Sequence, residues 1–113
     1  MIQIKDLYEK ANSVTGMSQK EFLTYVNEAL LQLNARYGDP FVYEDKEVEV
    51  ESVDSEVAVH KEWRSAILHY VIYLKNGDAV RKGEFDSSLD YSYRTIWKRL
   101  KGNKMRYRVP KWD

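Results

Sequence analysis

Between Glu62 and Leu100 the apolar residues recur at steps of three and four. Trp63, Ala66, Ile67, Tyr70, Val71 and Leu74 share one helix face; Phe85, Leu89, Ser92 or Tyr93, Ile96 and Leu100 share a second. Asn76-Gly77-Asp78 stands between them. A glycine there tolerates the left-handed conformation in which a helix stops, and an aspartate caps the helix that follows. Two amphipathic helices joined by so short a turn fold back on each other, so the spacing predicts an antiparallel hairpin at the centre of the core.

The same period marks two earlier helices. Ile4, Leu7, Tyr8 and Ala11 predict a short one over 4–12, broken at Thr15-Gly16. Ser18 with Glu21 three positions on is a capping-box signature. It opens a helix to about Tyr37 that buries Phe22, Val26, Ala29, Leu30 and Leu33, and Gly38 and Pro40 stop it. The predicted core joins this face to the two faces of the hairpin, Leu74 and Leu100 included.

From Phe41 to Val59 the period changes to two. Val48 and Val50 alternate with Glu47, Glu49 and Glu51, with Asp45 in the same acidic phase; Val57 and Val59 form a second alternating piece, and Asp54-Ser55 is a candidate turn between them. The pattern predicts a β-hairpin or extended arm. Its charged alternation offers little apolar surface, so the arm is expected to project from the bundle and touch a neighbouring subunit, with Asp45, Glu47, Val48, Glu49, Val50 and Glu51 as the contact residues. Beyond the hairpin, Gly102-Asn103 reads as a stop. The tail then alternates again: Lys104, Arg106 and Arg108 on one side of an extended chain, Met105, Tyr107 and Val109 on the other. Pro110 would end any ladder the tail joins, and Trp112 would anchor it. Such a strand adds to an exposed sheet edge, which makes Lys104, Met105, Arg106, Tyr107, Arg108, Val109 and Trp112 candidate partner-binding residues. The expected fold is mainly α: a small antiparallel helical bundle with an extended hairpin or arm insertion and an extended C-terminal tail. It forms one domain, with parts at 1–38, 41–59, 60–101 and 102–113.

Composition sharpens this reading. Lysine plus arginine and aspartate plus glutamate total 18 each, so the net charge is zero, and bulk charge gives no drive toward nucleic acid. The balance hides an asymmetry. Eight acidic residues fall between Glu44 and Glu62, whereas seven basic residues and one acidic fall between Lys98 and Asp113. The chain has no cysteine, hence no disulfide, thiol nucleophile or thiolate metal site. No apolar run approaches the roughly 20 residues of a membrane span, and MIQIKDLYEK lacks the apolar centre of a signal peptide, so a soluble intracellular protein is expected. Nine tyrosines fit either a protein interface or a tyrosine-rich core rim. His60 and His69 have no evident ligand set and are expected to be structural or surface residues. The glycines stand alone at breaks and make no phosphate loop, and no nucleophile elbow appears. The comb of carboxylates at 45, 47, 49 and 51 is not wrapped by a glycine-centred loop and fits a solvated or partner-facing strand better than a cation cage. No enzyme, cofactor or metal is expected.

A leading helix FLTYVNEALLQLNARYGD, an extended insertion, a helix EWRSAILHYVIYLKNGD and a final helix FDSSLDYSYRTIWKRL follow one another over residues 18–101. This order, with its "ailhYviylknGda…F…sl.Y" pattern, resembles the head–tail adaptor, or connector, proteins of long-tailed double-stranded DNA phages and phage-like particles. The resemblance implies a helical bundle with a protruding loop, copies arranged as a ring, commonly of twelve, beneath a portal protein, and a C-terminal segment docked on that portal. It also implies a tail-side stopper or completion protein below the ring, DNA passing through the channel without sequence-specific contact, no membrane, and a place in the neck of the virion. The acidity of the insertion departs from the pattern and leaves its partner open. A small nucleic-acid-binding module, or another phage morphogenesis protein such as a tail-completion subunit, is the alternative.

Overall fold

The computed structural model describes the backbone from Met1 to Arg108 and the side chains through Lys101. The chain is mainly helical, with one small antiparallel strand pair. In order it forms β1 (Ile2–Gln3), α1 (Ile4–Thr15), α2 (Gln19–Tyr37), β2 (Glu56–Val57), a 3-10 turn (Lys61–Trp63), α3 (Arg64–Asn76) and α4 (Ala79–Arg108).

The helices begin and end where their local chemistry directs. Gly16 and Gly77 close α1 and α3 at φ 68° and 67°, a region that side chains with a Cβ avoid. The box at Ser18 is complete: its hydroxyl accepts from the Glu21 amide at 3.1 Å, and the Glu21 carboxylate accepts from the Ser18 amide at 3.2 Å. The Lys75 ammonium also reaches Glu21, at 2.6 Å, and these bonds together hold the Glu21 carboxyl below its ordinary range. Asp78 caps α4 through the Val80 amide at 2.9 Å. The hairpin of α3 and α4 forms as the pattern predicts.

The core is a continuous cluster. Phe22, Val26, Ala29, Leu30 and Leu33 of α2 meet Ile67, Val71 and Ile72 of α3 and Phe85, Leu89 and Ile96 of α4, with Ile4, Leu7 and Ala11 of α1 closing one side. Trp63 is fully buried, its ring 5.0 Å from that of Tyr37, and Tyr37 stacks on Tyr93 at 4.9 Å. Buried Ser92 donates to the Glu62 carbonyl at 3.0 Å, tying α4 to the 3-10 turn.

Leu74 is half-buried and lies outside the core cluster. Leu100 also departs from the expected core and is 37% exposed. The reason is length. At about 1.5 Å per residue, the 13 residues of α3 span about 20 Å and the 30 of α4 about 45 Å. An antiparallel partner so much longer outruns the bundle, and α4 does so just past Ile96.

The stop expected at Gly102-Asn103 does not occur either. The helix continues through both residues to Arg108, so positions 104–108 are helical rather than extended. Adding a residue to a formed helix is easy compared with nucleating one, and a glycine costs only about 1 kcal/mol relative to alanine. Lysine, arginine and methionine around it are good helix formers.

The arm is the third correction. It does not project. Val42, Tyr43, Val50, Val53, Val57 and Val59 are buried in the common core. A turn closes over Ser52–Ser55 as expected, with the Ser55 amide on the Ser52 carbonyl at 3.2 Å. The strand pairing, however, is not within the arm. β2 pairs antiparallel with β1, Ile2 opposite Val57 and Gln3 opposite Glu56, and a single bridge joins Tyr43 to Val59. One apolar residue in two along a short segment supplies enough side chains to cover the open flank of α2.

Candidate protein-interaction surface

Three polar side chains hold the arm down. Asn27, in the middle of α2, grips Val50 on both sides: Nδ2 donates to the Val50 carbonyl at 2.8 Å and Oδ1 accepts from the Val50 amide at 2.7 Å. Trp63 Nε1 donates to the Phe41 carbonyl at 2.7 Å, and His60 Nε2 meets the Pro40 carbonyl at 2.8 Å. These bonds satisfy backbone groups that the arm, lacking a long ladder, would otherwise bury unpaired. Sequence reading missed all three. The available signals were an asparagine beside an apolar helix stripe and a histidine and tryptophan flanking the arm.

With the apolar phase turned inward, the acidic phase faces out. Asp45, Glu47, Glu49 and Glu51 are exposed, and among the described residues none has an ion pair. Val48 is half-buried and Val50 buried, so of the six expected contact residues Val50 belongs to the core. Between the arm and the outer face of α2 runs an open groove. One side has a volume of about 800 Å³ and includes Leu23, Asn27 and Glu49; the other has about 420 Å³ and includes Tyr43, Glu47 and Val48. Leu31 lies on both sides and is 55% exposed.

The second feature is the free end of α4. Lys98, Arg99 and Leu100 are exposed where the helix leaves the bundle. Arg99 is anchored back: its guanidinium donates to both Glu62 carboxylate oxygens, at 2.8 and 3.2 Å, and lies 3.1 Å from His60 Nδ1. Burial works to raise the Glu62 pKa, but the Arg99 hydrogen bonds and charge outweigh it and leave the carboxyl below its ordinary range. With Arg99 donating to Nδ1, the tautomer protonated at Nε2 satisfies His60 on both sides. Of the candidate tail residues, Lys104, Met105, Arg106, Tyr107 and Arg108 fall in α4, while Val109 and Trp112 lie outside the described residues.

His69 sits elsewhere, between Arg81 at 3.1 Å and Glu84 at 3.3 Å. Both histidines therefore serve packing and hydrogen bonding. Among the described residues no group of three or more histidines or carboxylates is placed to hold a metal ion, and no helix is long and apolar enough to cross a membrane. Most of the tyrosines line the core: Tyr8, Tyr25, Tyr37, Tyr43, Tyr70 and Tyr93 belong to it or pack on it, and burial pushes the hydroxyls of Tyr37, Tyr43 and Tyr70 up. Tyr91 of α4 is 76% exposed.

The arrangement offers a groove lined by acidic and apolar residues and, separately, a helix end whose sequence is basic. Compared with known proteins, the chain matches no family model, no curated protein and no solved structure.

Proposed function

We propose that this protein is a structural head–tail adaptor subunit, forming a ring under the portal of a phage or phage-like particle through which DNA passes. One observation carries the reading: the chain carries two unlike charged segments, the exposed acidic residues Asp45, Glu47, Glu49 and Glu51 of the arm, without ion pairs among the described residues, and the basic sequence at the end of α4. Unlike surfaces on one subunit favour head-to-tail contacts, and head-to-tail contacts that close make rings. The helix order and hairpin sequence that resemble the connector proteins supply the place in the particle. The C-terminal end of α4 leads away from the bundle toward the portal, and the opposite end of the ring faces a stopper or completion protein. The role is assembly rather than catalysis, with no cofactor.

Electron microscopy of the purified protein, alone and mixed with the portal of its parent particle, tests this. Rings seated coaxially on the portal are the expected result. A protein that stays monomeric beside the portal and instead binds duplex DNA, with affinity falling steeply as salt rises, overturns it in favour of a nucleic-acid module.

A further inference from the structure

We infer that His60, Glu62 and Arg99 form a proton-operated latch: a neutral His60 ring holds α4 to the head of the arm and the 3-10 turn, and a proton on that ring releases Arg99. The inference is independent of the adaptor reading.

His60 is 3% exposed and stands where three segments meet. Its backbone amide donates to the Val42 carbonyl at 3.0 Å, and Nε2 lies 2.8 Å from the Pro40 carbonyl, both at the head of the arm. Nδ1 lies 3.1 Å from the guanidinium of Arg99, three positions past Ile96, the last buried residue of α4 among those described. A carbonyl oxygen only accepts and a guanidinium only donates. The ring therefore satisfies both in one form alone: neutral, with its proton on Nε2 and a lone pair on Nδ1.

A further proton can go only to Nδ1, where it faces an N–H of a group that is always charged. The contact then sets donor against donor and cation against cation. An acceptor stands beside it. Arg99 presents the same nitrogen, Nη2, to His60 and to a Glu62 oxygen 2.8 Å away, so the ring and the carboxylate flank one atom. Hydrogen bonding sets two charged groups at the ring, Arg99 from α4 and Glu62 from its own turn; the arm contributes the Pro40 carbonyl oxygen. On protonation Glu62 exchanges Arg99 for His60, and the Arg99 side chain, already 46% exposed, moves into water. Burial works to raise the Glu62 pKa, but the Arg99 bonds hold it below its ordinary range. The carboxylate thus stays ionised across the span in which histidines commonly titrate, about pH 7.5 to 5.5. The tie of α4 is present with the neutral ring and lost as the pH falls.

Proton NMR of the full chain at about pH 7.5 and 5.5 tests this. The readout is solvent exchange of the Arg99 Nε–H, which donates to Glu62, measured relative to free arginine in the same buffer. Its protection should fall about ten-fold at the lower pH, the scale of one hydrogen bond between charged groups, while amides in the middle of α3 keep theirs. His60→Gln should abolish the response, and His69→Gln, at the chain's other histidine, should leave it intact. Because His60 is buried, nitrogen shifts of its ring in the unaltered chain supply a test that needs no variant: the proton on Nε2 at the higher pH, and both nitrogens protonated in step with the release of Arg99. A proton on Nδ1 at the higher pH overturns the latch. So does Arg99 exchange that ignores pH, a response that survives His60→Gln, or a loss of protection shared by the middle of α3.

Discussion

Asn27 and Val50 are joined by a pair of hydrogen bonds, 2.8 and 2.7 Å long, across 23 positions of sequence. The side-chain amide imitates a strand neighbour, presenting one donor and one acceptor to the backbone of the arm. It also bonds the Leu23 carbonyl in its own helix at 3.0 Å, which fixes its orientation.

Replacing Asn27 with alanine leaves both Val50 groups unpaired where they are partly buried. We expect a loss of about 1–3 kcal/mol in unfolding free energy. The Val50 amide should exchange with solvent far faster in the variant, while amides in the middle of α3 lose protection only in step with global stability. Unchanged exchange at Val50 would show that its burial alone holds the arm.

Leu30 and Ile67 face each other's helices at the centre of the bundle, each 2% exposed. Truncating either to alanine should cost about 2–5 kcal/mol in denaturant titrations. Leu31→Ala, one residue along α2 and 55% exposed, should stay within about 0.5 kcal/mol of the parent.

Arg99→Ala removes the donor from two Glu62 oxygens and from His60 Nδ1. The Glu62 side chain is 12% exposed and that of Arg99 46%, so solvent weakens the pair, and about 1–3 kcal/mol is expected, mostly from the acceptors left without a donor. The pH dependence is more specific. A carboxyl lowered on folding stabilises the protein above its unfolded pKa, and that contribution is lost as pH falls through the lower folded value. The stability gap between the parent and Glu62→Gln should be full at neutral pH and should close as the pH drops below the ordinary value of 4.5. A gap that persists in acid would assign the effect to packing instead of charge.

Ending the chain after Lys101 should leave the unfolding free energy within about 0.5 kcal/mol of the full chain. Among the described residues the last buried position of α4 is Ile96, and Leu100 is already at the surface. Ring formation should fail in the same truncated protein. A large stability loss would mean that the helix end packs on its own bundle.

The helices were legible because each is set by local signals. The face through Phe22, Val26 and Leu30, the Ser18–Glu21 box and the Gly77-Asp78 turn all lie within a few positions of what they specify. The arm was not, because its fold rests on contacts distant in sequence. Asn27 reaches Val50 over 23 positions, Trp63 reaches Phe41 over 22, and Gln3 meets Glu56 over 53. Periodicity showed which phase of the arm is apolar but not what would cover it. The reading of residues 104–108 as extended erred for a different reason. Alternation of basic and apolar residues fits a strand, yet the same residues propagate a helix already formed, and the length mismatch of α3 and α4 was the better guide to what lies past Ile96. For the surface, the acidic residues at 45, 47, 49 and 51 were found, and Leu31 beside them was not, since a single exposed leucine on an amphipathic helix carries no distinguishing pattern.

The unequal lengths of α3 and α4 also make the free end of α4 a lever. From Ile96 to Arg108 the helix extends about 18 Å with a stiff backbone. A tilt of the bundle by about 10° would sweep its tip through about 3 Å. In a closed circle of such subunits, small concerted tilts would widen or narrow the circle traced by the tips without breaking any helix. In the ring proposed above, the angle at which each bundle leans on its neighbour would then set the radius at which the tips meet the portal.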